Sequence, residues 1–100
     1  MRRGTTPTHT FTIPDEVSVP AMQVIYITYA QFGRTVLEKD IDDIAINNQN
    51  LVVTLTQEET LSFKDGTATI QIRCRSNEGV AYASDIKTLK VETVQKKGVI

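Results

Sequence analysis

Apolar and polar side chains alternate with a period of two along most of the chain, and Gly, Asn, Asp or Pro interrupt the alternation at short intervals. That pattern predicts short antiparallel strands rather than helices. "THTFTI" sets Thr8, Thr10 and Thr12 on one face against His9, Phe11 and Ile13 on the other, so one face is wet and the other can be buried. Pro7 and Pro14 remove backbone donors at both ends, which predicts a strand at a sheet edge or at a crossing between sheets. "AMQVIYITYAQ" carries Met22, Val24, Tyr26 and Thr28 on one face and Gln23, Ile25, Ile27 and Tyr29 on the other. Apolar surface on both faces predicts a central strand.

"FGR" supplies a turn in which Gly33 can take positive φ, and "TVLEKDI" follows as the antiparallel partner through a three-to-four-residue connection. A second hairpin has arms Ile44–Ile46 and Leu51–Leu55, closed by Asn47, Asn48, Gln49 and Asn50, residue types suited to turns. "TQEETLSF" breaks the alternation. Thr56 and Glu59 fit a capping box, which predicts one short helical turn near residues 56–62 crossing from one sheet to the other. "KDG" at 64–66 then leads into "TATIQIRCRS", and "NEG" at 77–79 closes this strand against "VAYASDIKTLKVETV". In that last segment Val80 and Tyr82 lie in one phase and Leu89, Val91 and Thr93 in the other, which predicts a bulge or a change of sheet near Ser84 and Asp85. About seven strands with one crossover turn imply an all-β fold, a two-sheet antiparallel sandwich of immunoglobulin-like kind, without the cysteine and tryptophan marks of antibody domains.

Composition agrees, since β-branched Thr, Ile and Val far outnumber Leu and Ala. At 100 residues the chain forms a single domain, residues 1–100, with 1–6 and 95–100 expected to be flexible. A formal net charge of −1 gives no field for neutralising phosphates, so nucleic acid is not an expected partner. Arg2 and Arg3 are followed by Gly, Thr and Pro rather than by an apolar run, so no signal peptide is expected, and no membrane partner.

Candidate chemistry is sparse. His9 is the one histidine and Cys74 the one cysteine; both fall within strands, and Cys74 shares a face with Ala68, Ile70 and Ile72, as a buried small apolar residue would. Asp40, Asp42, Asp43, Asn47, Asn48 and Asn50 offer many oxygens, but Ile44 and Ala45 occupy the fifth and sixth positions of a calcium loop starting at Asp40, where that motif needs an oxygen ligand and a glycine. Glu58 with Glu59, and Asp15 with Glu16, are adjacent pairs that do not converge as glycosidase carboxylates must. No phosphate loop or nucleophile elbow is present. The expectation is therefore a protein that is not an enzyme, with no catalytic or metal-ligating residues and no cofactor. What remains is surface: Arg2, Arg3, Thr5, Thr6, Thr8, Thr10 and Thr12 form an extended, weakly charged stretch whose backbone could pair with another chain.

"MRRGTTPTHTFTIP", "IYITYAQFGRTVLEKD", "VTLTQEETLSF" and "IQIR…ASDIKTLKV" resemble a family of small proteins of about 100 residues encoded among the tail genes of prophages of Gram-positive bacteria. That family is distantly similar to the N-terminal β-sandwich of siphophage upper baseplate proteins. The resemblance implies a tail or baseplate structural component, acting through contacts with other tail or baseplate proteins or with itself. It implies residence in the host cytoplasm during assembly and then in the virion tail. A non-virion assembly factor or adaptor is the alternative; a calcium-binding or enzymatic domain is less favoured.

Overall fold

The computed structural model describes all residues, Met1–Ile100. Eight strands and one α-helix follow in the order β1 (Thr8–Thr12), β2 (Met22–Gln31), β3 (Arg34–Asp40), β4 (Ala45–Asn47), β5 (Asn50–Thr54), α1 (Gln57–Leu61), β6 (Gly66–Ser76), β7 (Ala81–Ala83) and β8 (Lys87–Val91). One sheet has the order β1-β5-β4; the other has the order β3-β2-β6-β7, with β8 also on β6. Every named pair is antiparallel. The chain is an all-β sandwich, and its strand order is that of an immunoglobulin-like domain, lanes B-E-D facing C′-C-F-G. β7 and β8 share the final lane, which reconciles eight strands with the seven lanes expected. Lane A is represented only by a stub, a single parallel bridge between Arg2 and Glu92.

The alternation places the core. Ile25, Ile27 and Tyr29 of β2, Ala68, Ile70, Ile72 and Cys74 of β6, Leu51 and Val53 of β5, and Phe11 of β1 are all buried, each burial of a large aliphatic side chain contributing about 1.5–3 kcal/mol. β2 is central, as its apolar content predicts, but its second face is only half covered: Val24 and Thr28 are intermediate and Tyr26 is exposed. Met22 is buried out of phase because the β2–β6 register shifts between Met22 and Val24.

Three local predictions meet their structural counterparts. The capping box at α1 is complete: the Thr56 hydroxyl accepts from Glu59 N–H at 3.1 Å, and the Glu59 carboxylate accepts from Thr56 N–H at 2.8 Å. The phase slip is a bulge, not a change of sheet. Arg73 pairs with Ala83 and Ile70 with Lys87, so the last lane spends one residue more than β6 across that interval. Ser84 fills the gap, donating its N–H to Ile72 O at 2.8 Å and accepting Ile72 N–H on Oγ at 3.0 Å. The β2–β3 connection is shorter than expected. Gln31 pairs directly with Arg34, leaving a two-residue turn in which both Phe32 and Gly33 have positive φ, the backbone twist that suits tight hairpins.

The first six residues are also more ordered than a free end. Met1 O accepts from Glu92 N–H at 2.8 Å, Arg3 N–H donates to Glu92 O at 2.9 Å, and the Met1 ammonium donates to Lys90 O at 2.6 Å. Residues 95–100 form no regular element and are exposed. No helix is long and apolar enough to cross a membrane.

Candidate functional site

The N-terminal stretch separates into two parts. Arg2 and Arg3 serve the body of the protein: Arg2 pairs with Glu92 at 3.1 Å and donates to Thr93 O at 2.6 Å, while Arg3 donates to Leu61 O at 2.9 Å. Gly4 makes the reversal that follows, at φ 77°, where a side chain would be strained. Thr5 Oγ donates to Arg2 O at 2.6 Å, and its carbonyl accepts from the buried Thr60 hydroxyl at 2.9 Å. These residues hold the stub against β8 and α1. Removing residues 2–8 would therefore strip structural bonds together with any docking surface.

Thr6, Thr8, Thr10 and Thr12 are exposed, and the last three form the outer rail of β1. Pro7 O accepts from Leu55 N–H, and Ile13 N–H donates to Gln49 O, both across to the β5 side. Because backbone groups alternate sides along a strand, the odd-numbered residues bond β5 and the even-numbered residues, Thr8, Thr10 and Thr12, point N–H and C=O away from it. No strand covers that side, since β1 ends its sheet. Two of the hydroxyls are tied to β5 on the wet face, Thr8 Oγ to Thr54 Oγ at 2.9 Å and Thr12 Oγ to Asn50 Oδ1 at 2.8 Å, which stiffens the rail; Thr10 faces Val52.

The edge of the facing sheet runs alongside. On β8, Lys90 and Glu92 turn main-chain groups away from β6 to the N-terminal stub, so Thr88 presents its own groups in the same direction. A groove of about 530 Å³ lies between the two edges, lined by residues 8–12 of β1 and by Ile70, Lys87, Thr88 and Leu89. A strand entering along the line of Met1–Arg3 would run antiparallel to β1 and parallel to β8.

His9 projects into this groove and is half-buried. Its Nδ1 shares a 2.6 Å hydrogen bond with the Tyr29 hydroxyl. Burial, and then the charge of the Met1 ammonium, hold the imidazole below its ordinary pKa; burial, and then the nearby Glu59 carboxylate, push the Tyr29 phenol well above its own. Both groups are thereby neutral at pH 7. Glu59 forms an ion pair with Lys39 at 2.5 Å, with side chains 22% and 11% exposed. Burial alone would raise the Glu59 pKa, but the bonds from Lys39 and Thr56 outweigh it and hold the carboxylate below its usual range. Burial raises the Cys74 thiol, which disfavours the reactive thiolate.

The remaining candidates are occupied locally. Asp40 Oδ1 accepts from Asp42 N–H at 3.0 Å and Asp43 Oδ2 from Asp40 N–H at 3.3 Å, capping a 3-10 turn at Ile41–Asp43. No three His, Cys, Asp or Glu side chains converge as metal ligands would. Three buried or half-buried polar residues carry roles that alternation alone does not announce. Gln31 exchanges two 2.7 Å bonds with the Lys64 main chain. Gln49 reaches the carbonyls of Ile13, Pro14 and Val17 and so pins the β1–β2 loop, while Lys39 secures α1 through Glu59. Comparison with family models, curated proteins and solved structures finds no match to this chain.

Proposed function

We propose that this chain is a non-catalytic structural component of a phage tail or baseplate, which engages a neighbouring tail protein by adding an extended segment of it to the β1 edge. The tail setting rests on the resemblance of the "RGTTPTHTF", "YITYAQ" and "LTQEETL" blocks. The mode of engagement rests on one observation: Thr8, Thr10 and Thr12 turn their backbone donors and acceptors to an uncovered edge beside the β1–β8 groove. Strand addition of this kind derives affinity from main-chain bonds and selectivity from alternate side-chain seats. Here Phe11, Ile70 and Leu89 offer apolar seats.

Quantitative mass spectrometry of gradient-banded particles from an induced prophage tests the setting. A fixed ratio to the major tail protein is the expected result; abundance in the lysate with absence from particles would make the chain an assembly factor instead. Thr10→Pro tests the edge. It deletes an outward N–H and leaves the β5 ladder untouched, so incorporation should be lost from a folded protein. Normal incorporation of this variant would exclude the β1 edge.

A further inference from the structure

A cleft of about 650 Å³ opens at the end of the sandwich where the β1–β2 loop meets the β6–β7 turn. Val17, Met22, Val80 and Tyr82 give it apolar lining, and Glu16 and Glu78 enter from the two different loops. No basic side chain lines it. Neither carboxylate has an ion-pair partner, the pairs in the chain being Arg2–Glu92 and Lys39–Glu59. Val80 stands 61% exposed, an apolar group set beside unpaired negative charge.

The segment beyond β8 has the complementary chemistry: Lys96 and Lys97 precede Gly98, Val99 and Ile100. Its main chain is held at the body by Gln57, which accepts Ile100 N–H at 2.9 Å and donates to Ile100 O at 3.3 Å. The side chains are left outward, Val99 55% and Ile100 87% exposed, and neither lysine is ion-paired. A pinned backbone presenting free aliphatic groups loses less conformational entropy on docking than a loose tail would.

These features lie at opposite ends. The cleft sits where Met22 pairs with Ser76, at one end of β6, whereas the basic segment leaves β8 beyond the Gly66–Val91 pair at the other end. The molecule is 47 Å long and 25 by 17 Å across, so a chain does not reach its own cleft. We propose that the Lys96–Ile100 segment of one copy seats in the Glu16/Glu78 cleft of the next, joining copies head to tail. Val99 and Ile100 meet the apolar lining, and the lysine ammonium groups meet the two carboxylates. Such a contact is heterologous, so copies continue to add until a ring closes or a filament grows. It uses none of the β1 edge and stands or falls separately from strand addition there.

Sedimentation equilibrium of the full chain, over a range of concentration and salt, tests the proposal. The expected result is growth beyond a dimer that salt weakens. E16K/E78K should lower the association constant by about tenfold or more, as like charges then face one another. K96E/K97E should do the same. A chain carrying all four changes reverses both partners and should recover association to within about threefold, a recovery that damaged folding would not produce. A chain that stays monomeric up to roughly millimolar concentration would overturn the proposal. So would association indifferent to either pair of swaps, or a fourfold variant that fails to recover.

Discussion

In the larger sheet β2 and β6 run for ten and eleven residues, and each has neighbours on both sides; in the smaller sheet β1 and β4 run for five and three residues and are each paired on one side. The larger sheet also gathers the staples: Gln31 to Lys64, Ser84 to Ile72, and Lys39 to Glu59 at its margin. The smaller sheet is held by the shared core and by short polar ties on its wet face. The difference teaches that one layer can supply cohesion while the other leaves main-chain groups free. An edge strand is ordinarily a liability, and here the strand is short and lined by hydroxyls but left uncovered.

Breaking the cohesive layer should have the largest effect. Ile72→Ala, at a buried position in the middle of β6, should cost about 3 kcal/mol in urea unfolding, enough to threaten a domain of this size. Lys39→Ala leaves Glu59 half-enclosed without its partner and should cost about 1–2 kcal/mol. That loss should shrink in acid. The Glu59 pKa is depressed from 4.5, so its stabilisation is present above about pH 4.5 and disappears as pH falls through the lowered folded value. Thr56→Ala should cost about 1 kcal/mol by removing the α1 cap, and Thr56→Asp should recover most of it.

A smaller effect sharpens the comparison at the groove. His9 titrates below its ordinary 6.5 in the folded chain, so the unfolded chain binds protons first as pH falls. Stability is then full above about pH 6.5 and declines as pH drops through the folded value. Urea midpoints at intervals of pH from about 7.5 to 5 should show this slope, and His9→Gln should flatten it. The smallest effect belongs to the open edge itself. Thr10→Pro should change stability by no more than about 0.5 kcal/mol, and a loss of several kcal/mol would mean that Thr10 N–H is not free.

Much of the architecture was legible because it rests on local periodicity. "ATIQIRCRS" announces the buried row of Ala68, Ile70, Ile72 and Cys74; Thr56 and Glu59 announce the helix; and the phase slip before Leu89 announces the bulge at Ser84. The β1 threonines, too, could be picked out by their spacing between prolines. What was not legible depends on partners distant in sequence. Gln31, Lys39 and Gln49 look like solvent-facing polar residues until the fold brings Lys64, Glu59 and the β1–β2 loop beside them. The stub at Met1–Arg3 is too short to show alternation, and its pairing with Glu92 spans almost the whole chain. Phe32 conceals its turn for another reason: a bulky residue with positive φ is unusual, so nothing in its chemistry signals a two-residue hairpin.

The amino group of Met1 lies against Lys90 O, at the foot of the groove, with the chain pointing down and away from Thr88. Any residues fused ahead of Met1 would therefore be fed upward between β1 and β8. An amino-terminal affinity tag would then fill the open lane from within its own molecule and compete with the strand addition proposed for the β1 edge. Preparations tagged at that end should look better behaved and bind worse than those freed of the tag by cleavage.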